Sequence, residues 1–145
     1  MKKYRHILLA TDCSAGSRHA CEHTAALAGS LGAEVSLLRV LEHLPQDVPN
    51  EPVPPEDVDK IEWFTARALE ELRQHAVDGG LAAERAHVVV TTDSPESEII
   101  RFVNAHGVDL VVVGARERHG MALFQGRTAD NLVHNAPCDV LVVHL

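Results

Sequence analysis

The chain has 145 residues, and its 13 lysines and arginines against 21 aspartates and glutamates give a formal net charge of −8. This length predicts one domain, and 46% hydrophobic with 23% charged residues is typical of a globular protein with its own core. The negative charge argues against sequence-independent nucleic-acid binding, and 3% aromatic residues argue against a surface on which bases stack.

The cysteines and the first residues of the chain bear on its compartment. The chain has three widely spaced cysteines, Cys13, Cys21 and Cys138. An odd number at wide spacing predicts free thiols in a reducing environment. Only four apolar residues precede Thr11 and Asp12, too few for the hydrophobic part of a signal peptide, and no later stretch is long enough to span a bilayer. We therefore expect a cytoplasmic protein.

Five short apolar runs predict five strands. They lie at residues 7–10, 35–41, 88–90, 110–113 and 140–143. Each is closed by small or polar residues, and none alternates strictly between apolar and polar positions. This pattern is typical of parallel strands that are buried on both faces.

Four stretches with helical periodicity lie between the strands, at residues 21–31, 58–76, 94–107 and 129–136. Glycines close the first three, a capping serine followed by proline opens the third, and a proline stops the fourth. Their apolar stripes include Val58, Ile61 and Val133 among the positions expected to face the core. The alternation of strands and helices predicts an α/β doubly wound domain, a parallel sheet with helices on both faces.

Residues 43–55 carry five of the seven prolines. Proline fixes φ and lacks an amide hydrogen, so this stretch predicts an irregular, extended loop. It is long for a connection within a compact domain, which indicates a loop that is either mobile or functional.

A glycine-rich segment at 114–128 follows the fourth strand and opens the fourth helix. Gly114, Gly120 and Gly126 would let backbone amides approach a phosphate, and Arg116 and Arg127 add guanidinium groups. The segment matches neither the dinucleotide-binding nor the P-loop pattern. Two interpretations remain open, a phosphate-binding loop and a flexible connection whose glycines serve turns.

Four segments together resemble the universal stress protein family, and the resemblance covers the whole chain. Residues 4–14 are similar to its first strand and Asp-x-Ser turn, residues 33–40 to its second strand, and residues 106–114 and 135–143 to its fourth and fifth strands. The resemblance implies a single domain over residues 1–145 with a three-layer, five-stranded parallel sheet in the order 3-2-1-4-5, the adenine nucleotide alpha hydrolase-like fold. It also implies a regulatory or protective stress-response module rather than an enzyme.

The resemblance further implies a site for ATP or AMP at the carboxyl ends of the strands, with Mg²⁺ possible beside ATP. The residues that match the base and ribose positions are Ala10, Thr11, Asp12 and Val40, with Val113 at the end of the fourth strand. The residues that match the phosphate positions are Gly114, Arg116, Gly120, Gly126, Arg127 and Thr128.

Two departures from the family's ATP-binding pattern, G-x2-G-x9-G-[ST], leave two functions open. Gly114 fits the first glycine, but Glu117 stands at the second, and Arg127 stands at the third with Gly126 one residue early. An acid beside a triphosphate lowers affinity unless a cation offsets it, so AMP or ADP is better tolerated than ATP. The alternative is a dimeric interaction protein of the same family that binds no nucleotide.

Three smaller hypotheses concern the turn after the first strand and the first helix. Asp12 and Ser14 are candidates to cap that helix, Ser14 above all. Cys13, at a helix start, is either a redox-sensitive thiol of low pKa or simply a small packed side chain. His19 and His23 share a helix face, but without further ligands they predict no metal site.

The last strand predicts a partner. Residues 140–145 are nearly all apolar and would lie at an edge of the sheet, where unpaired backbone groups invite a second chain. The family resemblance implies a homodimer through this strand. The alternative is an edge that the preceding loop shields.

Overall fold

The computed structural model describes residues 3–42, 53–115 and 126–145. The strands are β1 (His6–Ala10), β2 (Glu34–Leu41), β3 (Ala86–Val90), β4 (Leu110–Ala115) and β5 (Asp139–His144). The helices are α1 (Arg18–Leu31), α2 (Lys60–Asp78), α3 (Pro95–His106) and α4 (Gly126–Asn135), and a 3-10 turn (Ala15–Ser17) precedes α1. Residues 43–52 of the proline-rich stretch lie outside the described residues, so its predicted role stays a prediction.

All five strands join one parallel sheet in the order β3-β2-β1-β4-β5, which confirms the predicted topology. Ala10 of β1 stands opposite Leu38 on one side and Val113 on the other. From β1 the chain crosses to β2 on one side of the sheet, and it later returns to place β4 on the other side. The strand order therefore reverses between β1 and β4, where sheets of this type bind ligands.

The sheet buries both of its faces, as the apolar runs predict. On one face Ile7, Leu9 and Leu37 pack with residues of α1 and α2, and on the other Leu8 and Leu38 pack with residues of α3 and α4. These five side chains are 0% exposed. Burying a leucine or isoleucine stabilises the fold by about 1.5–3 kcal/mol, so the two cores define which strand residues face which helix layer.

Helix ends follow the signals in the sequence. The Ser94 side chain accepts a hydrogen bond from the Ser97 amide at the start of α3, where Pro95 is the first helical residue. Gly32 and Gly107 end α1 and α3 with φ of +65°, the left-handed conformation that favours glycine.

Three residues predicted to face the core are exposed instead. Val58 precedes α2, which begins at Lys60 after the Asp59 cap, and it is 39% exposed. Ile61 is 53% exposed because it lies in the first turn of α2, before the buried stripe that begins at Phe64. Val133 of α4 is 56% exposed beside fully buried Leu132. The helical periodicity was predicted correctly, but the predicted apolar stripes were too wide, and the one on α2 started too early.

No helix in the described ranges combines the length and apolar composition needed to cross a membrane.

Candidate functional site

Two chain segments meet the sheet edge at the point where the strand order reverses. The turn after β1, residues 11–17, leads into α1, and the first turn of α4 leads back toward β5. Because β1 and β4 are adjacent and parallel, both helices begin at the same, carboxyl edge. The amino ends of two helices, with the positive ends of their dipoles, therefore lie at the edge where β1 and β4 end.

Short-range hydrogen bonds shape the turn after β1. The Thr11 amide donates to the Leu38 carbonyl at 3.1 Å, which extends the sheet pairing by one residue. The Thr11 hydroxyl then accepts from the Cys13 amide at 3.1 Å, and Asp12 Oδ1 accepts from the Ser14 amide at 2.9 Å. Thr11 is 2% exposed. Asp12 is only partly buried, so its carboxylate is held at the edge without leaving the surface.

Ser14 does not cap the helix with its side chain, and the prediction that it does is wrong. Ser14 begins the 3-10 turn without a side-chain capping bond, and α1 starts four residues later. The inserted turn uses the Ser14 carbonyl instead, which accepts from the amide of Ser17 at 3.0 Å and from its hydroxyl at 2.6 Å. Asp12 does not cap either element with its side chain; it accepts from the Ser14 amide in the turn that precedes the 3-10 turn.

Cys13 adopts a φ of +60°, the one positive value among the described residues other than glycine. Burial raises the pKa of its thiol to about 11, with smaller contributions from Asp12 and Glu71, while Arg39 acts in the opposite direction. A reactive, redox-sensing thiol needs a lowered pKa, so the raised pKa favours the other interpretation of Cys13. The alternative, a small packed side chain, agrees with the structure, because Cys13 packs against the core beneath α1 and α2.

Three of the predicted nucleotide residues lie together on the α3/α4 face. Ala10 is 1%, Val40 is 2% and Val113 is 0% exposed, and all three belong to the same core cluster. Ala10 and Val113 are partners in the sheet register. Their side chains lie inside the core, so these positions offer a ligand the backbone of the strand ends.

Gly114 has a packing role that the sequence did not indicate. A Cβ atom at this position would lie 2.6 Å from Leu145 Cδ1 and 2.9 Å from its Cγ. The Leu145 amide also donates to the Ala115 carbonyl at 3.0 Å. The end of β5 thus closes over the end of β4, and a side chain at position 114 would require the Leu145 side chain to shift whether or not a phosphate binds.

The remaining phosphate candidates are only partly described. Arg116 and Gly120 lie outside the described residues, as does Glu117. Gly126 and Arg127 form the start of α4. Thr128, in the same first turn, is 5% exposed and has a bonding partner. The structure therefore brings the backbone of the α4 start to the edge that Asp12 occupies, and leaves the middle of the glycine-rich segment as a prediction.

Two polar residues near the turn after β1 were not predicted from the sequence. Arg39 of β2 is mostly buried and forms an ion pair with Glu71 of α2 at 2.8 Å, beside Cys13. An arginine inside an otherwise apolar strand was the signal for it. His75 of α2 contacts the Ser17 hydroxyl at 2.9 Å through Nε2, and no sequence pattern marks it.

The histidine pair on α1 forms no larger cluster. The rings of His19 and His23 lie 5.6 Å apart and both residues are exposed. Within residues 3–42, 53–115 and 126–145, no group of three or more histidine, cysteine, aspartate or glutamate side chains is arranged to hold a metal ion.

Comparisons with known proteins agree with this architecture. A curated relative, universal stress protein A homolog 1 of Coxiella burnetii, is 29% identical over 97% of this chain and 96% of its own length. The crystal structure of a universal stress protein in complex with cAMP matches with a TM-score of 0.63 and 20% identity, covering 99% of this chain and 98% of that one. The universal stress protein from Archaeoglobus fulgidus in complex with dAMP matches with a TM-score of 0.59 and 20% identity, covering 98% and 99%.

At these identities the two structures show that the fold is shared. The family model described as "Universal stress protein family" matches residues 3–144, nearly the whole chain. The chain therefore belongs to the universal stress protein family.

Proposed function

We propose that this protein is a regulatory or protective stress-response module that binds an adenine nucleotide between the ends of β1 and β4. The observation that carries the proposal is that the Asp12 turn and the amino end of α4 lie at the same edge of the sheet, where the strand order reverses. The complexes of two family members with cAMP and dAMP support it.

Each part of the edge suits one part of such a ligand. The Asp12 carboxylate keeps acceptor capacity beyond the bond to the Ser14 amide, which suits ribose hydroxyl groups. The amides at the start of α4, with the helix dipole behind them, suit a phosphate. Ala10, Val40 and Val113 are buried at the ends of their strands, so the backbone at these positions would lie below the base.

The charge of the chain favours a short phosphate group. The net charge is −8, and Glu117 takes the place of the second glycine in the family's ATP-binding pattern. Each added phosphate would bring further negative charge to an acidic protein. We therefore expect AMP to bind more tightly than ATP, and ATP to depend on Mg²⁺.

The proposal is for binding rather than turnover, with any hydrolysis of ATP slow and incidental. It includes a cytoplasmic homodimer. β5 lies at the edge of the sheet, and Val142 on β5 and Val133 on α4 are 40% and 56% exposed; a second copy paired with this edge would cover Val142.

Native mass spectrometry of protein purified without added nucleotide, followed by calorimetric titration with AMP, ATP and cAMP, tests the proposal. We expect a dimer that takes up nucleotide and an Asp12→Asn variant that binds AMP at least about tenfold more weakly, because a charge-assisted hydrogen bond is lost. Asn keeps an acceptor for the Ser14 amide, so the turn should survive. Glu84→Gln, at the opposite edge of the sheet, removes one charge as a matched control and should bind normally.

A dimer that stays empty at millimolar AMP, ATP and cAMP would overturn nucleotide binding. The chain would then be an interaction protein of the same family. Equal affinities of Asp12→Asn and Glu84→Gln would instead show that the ligand binds elsewhere.

A further inference from the structure

The Ser17 hydroxyl joins the turn after β1 to helix α2. Its Oγ lies 2.6 Å from the Ser14 carbonyl oxygen and 2.9 Å from His75 Nε2. Ser17 is 4% exposed, so water does not compete freely for these contacts. His75 lies 58 positions further along the chain, near the end of α2.

The geometry fixes the direction of both hydrogen bonds. A carbonyl oxygen can only accept, so the single Ser17 hydroxyl proton goes to Ser14. The Ser17 oxygen must then accept from His75, which requires the proton of neutral His75 to be on Nε2. Burial lowers the pKa of His75, with Arg39 adding to that direction and the Ser17 backbone, Asp12 and Asp78 opposing it, so the neutral form prevails at neutral pH.

The turn needs such support, because part of it is strained. Cys13 holds a left-handed φ of +60°, a conformation that persists in residues other than glycine only when the surroundings enforce it. The bonds of Thr11 and Asp12 to the amides that follow them span two residues each and would move with the turn. The bond from His75 instead anchors the turn to a separate helix that is packed on the sheet.

We propose that His75 is a positioning residue for the nucleotide site. Through Ser17 and the Ser14 carbonyl it holds the Asp12 turn in its binding geometry before the ligand arrives. A carboxylate that is already oriented loses less conformational freedom on binding, so the anchor raises affinity without touching the ligand. This inference rests on the proposed function, since it assigns the turn to nucleotide binding.

A set of four variants, titrated with AMP, tests the inference. His75→Leu and Ser17→Ala each remove the anchoring bond, and we expect each to weaken AMP binding by roughly five- to tenfold. His75→Gln places an amide donor close to the position of Nε2 and should stay within about twofold of wild type. The double variant Ser17→Ala/His75→Leu should be no weaker than either single change, because both remove the same bond.

The control is His87→Leu. His87 of β3 also has a pKa lowered by burial, but its ring packs with Phe102 and His106 of α3 on the other face of the sheet. We expect it to bind AMP like the wild type. If His75→Leu does not fold, Ser17→Ala carries the test, because it removes one small hydroxyl group.

An experiment on the ligand-free protein separates this inference from the proposed function. Nitrogen NMR of His75 should show the proton on Nε2, and hydrogen exchange of the Ser14 amide should be several-fold faster in His75→Leu than in His75→Gln. If the wild type binds none of the nucleotides, the proposed function fails, and Ser14 exchange still decides whether His75 holds the turn. If the wild type binds AMP while His75→Leu and Ser17→Ala bind it equally well, the function stands and the inference is wrong.

Discussion

The two flanks of the proposed site are built from different interactions. After β1 the chain is held by polar contacts, in which Thr11, Asp12 and Ser17 bond to nearby backbone groups and His75 anchors them to α2. At the end of β4 the corresponding position is apolar, and Leu145 packs directly on Gly114. One flank is ordered by hydrogen bonds and the other by close packing.

This difference separates what each flank contributes to binding and to stability. A polar turn at the surface can exchange one of its acceptors for a ligand at little cost to the core. The β4 flank has no such freedom, because Gly114 and Leu145 belong to the β4–β5 pairing at the edge of the sheet. Substitutions at the β4 flank should therefore change stability first, and substitutions at the β1 flank should change affinity or local order.

The largest effect is expected for Gly114→Val. A Cβ at this position would lie 2.6 Å from Leu145 Cδ1, so the added side chain must displace Leu145 from its place on β4. We expect a loss of about 1–3 kcal/mol in the free energy of unfolding, measured by urea denaturation. Leu145→Ala should recover much of the loss in the double variant, because it removes the clashing atoms.

Gly29→Ala is the matched control for this glycine. Gly29 lies inside α1 with nothing within 4 Å of an added Cβ, so alanine should stabilise the protein by up to about 1 kcal/mol. Opposite signs at Gly114 and Gly29 would confirm the packing role of Gly114. A Gly114→Val variant as stable as wild type that nevertheless loses AMP binding would show that Gly114 acts through phosphate alone.

The next effect concerns strain in the β1 flank. Cys13→Ala loses part of a packed side chain and keeps the unfavourable φ of +60°, whereas Cys13→Gly removes the strain as well. We expect the glycine variant to be more stable than the alanine variant by about 1 kcal/mol, despite the greater flexibility of glycine in the unfolded chain. Thermal unfolding of both variants checks this order, and an alanine variant that is the more stable one would contradict a strained turn.

The sequence was sufficient for the fold because its signals were local and mutually consistent. Buried runs such as 7–10 and 110–113 predicted parallel strands, and Ser94, Gly32 and Gly107 marked helix ends where the structure has them. Together with the family resemblance, these signals predicted the strand order correctly.

The site was less predictable because its geometry depends on contacts between distant segments. The bond from His75 to Ser17 joins positions 58 residues apart, and the contact of Leu145 with Gly114 exists only once β5 lies beside β4. Ser14 was misassigned because a 3-10 turn precedes α1, and nothing in the residue types distinguishes that turn from a helix start. Periodicity reports which face of an element is apolar, not which polar groups meet across two elements.

The smallest expected effect is a dependence of stability on pH that is tied to the β1 flank. Burial lowers the pKa of His75 in the folded protein below its usual value near 6.5. The unfolded chain then binds more protons than the folded one in this range, so stability is full above about pH 6.5 and falls as the pH drops toward the folded pKa. Between pH 7.5 and 5.5 we expect the part of the Tm decrease due to His75 to be less than about 4 °C.

His75→Gln isolates this contribution, because it keeps the donor to Ser17 and removes the titrating group. Its Tm should fall less over that pH range than the wild-type Tm. His87→Gln should remove a separate part of the pH dependence of Tm, since burial also lowers the pKa of His87 on the other face of the sheet. Two carboxylates also have lowered pKa values, Glu34 because of Arg85 and Asp93 because of the Ser94 amide. Their contributions to stability are lost only at more acid pH, so they do not interfere with the measurement.

If hydrogen exchange of the Ser14 amide rises with acid in the wild type but not in His75→Gln, the pH effect acts on the turn after β1. Equal pH profiles for both proteins would instead show that His75 carries no titration linked to folding, and the polar flank would owe its order to geometry alone.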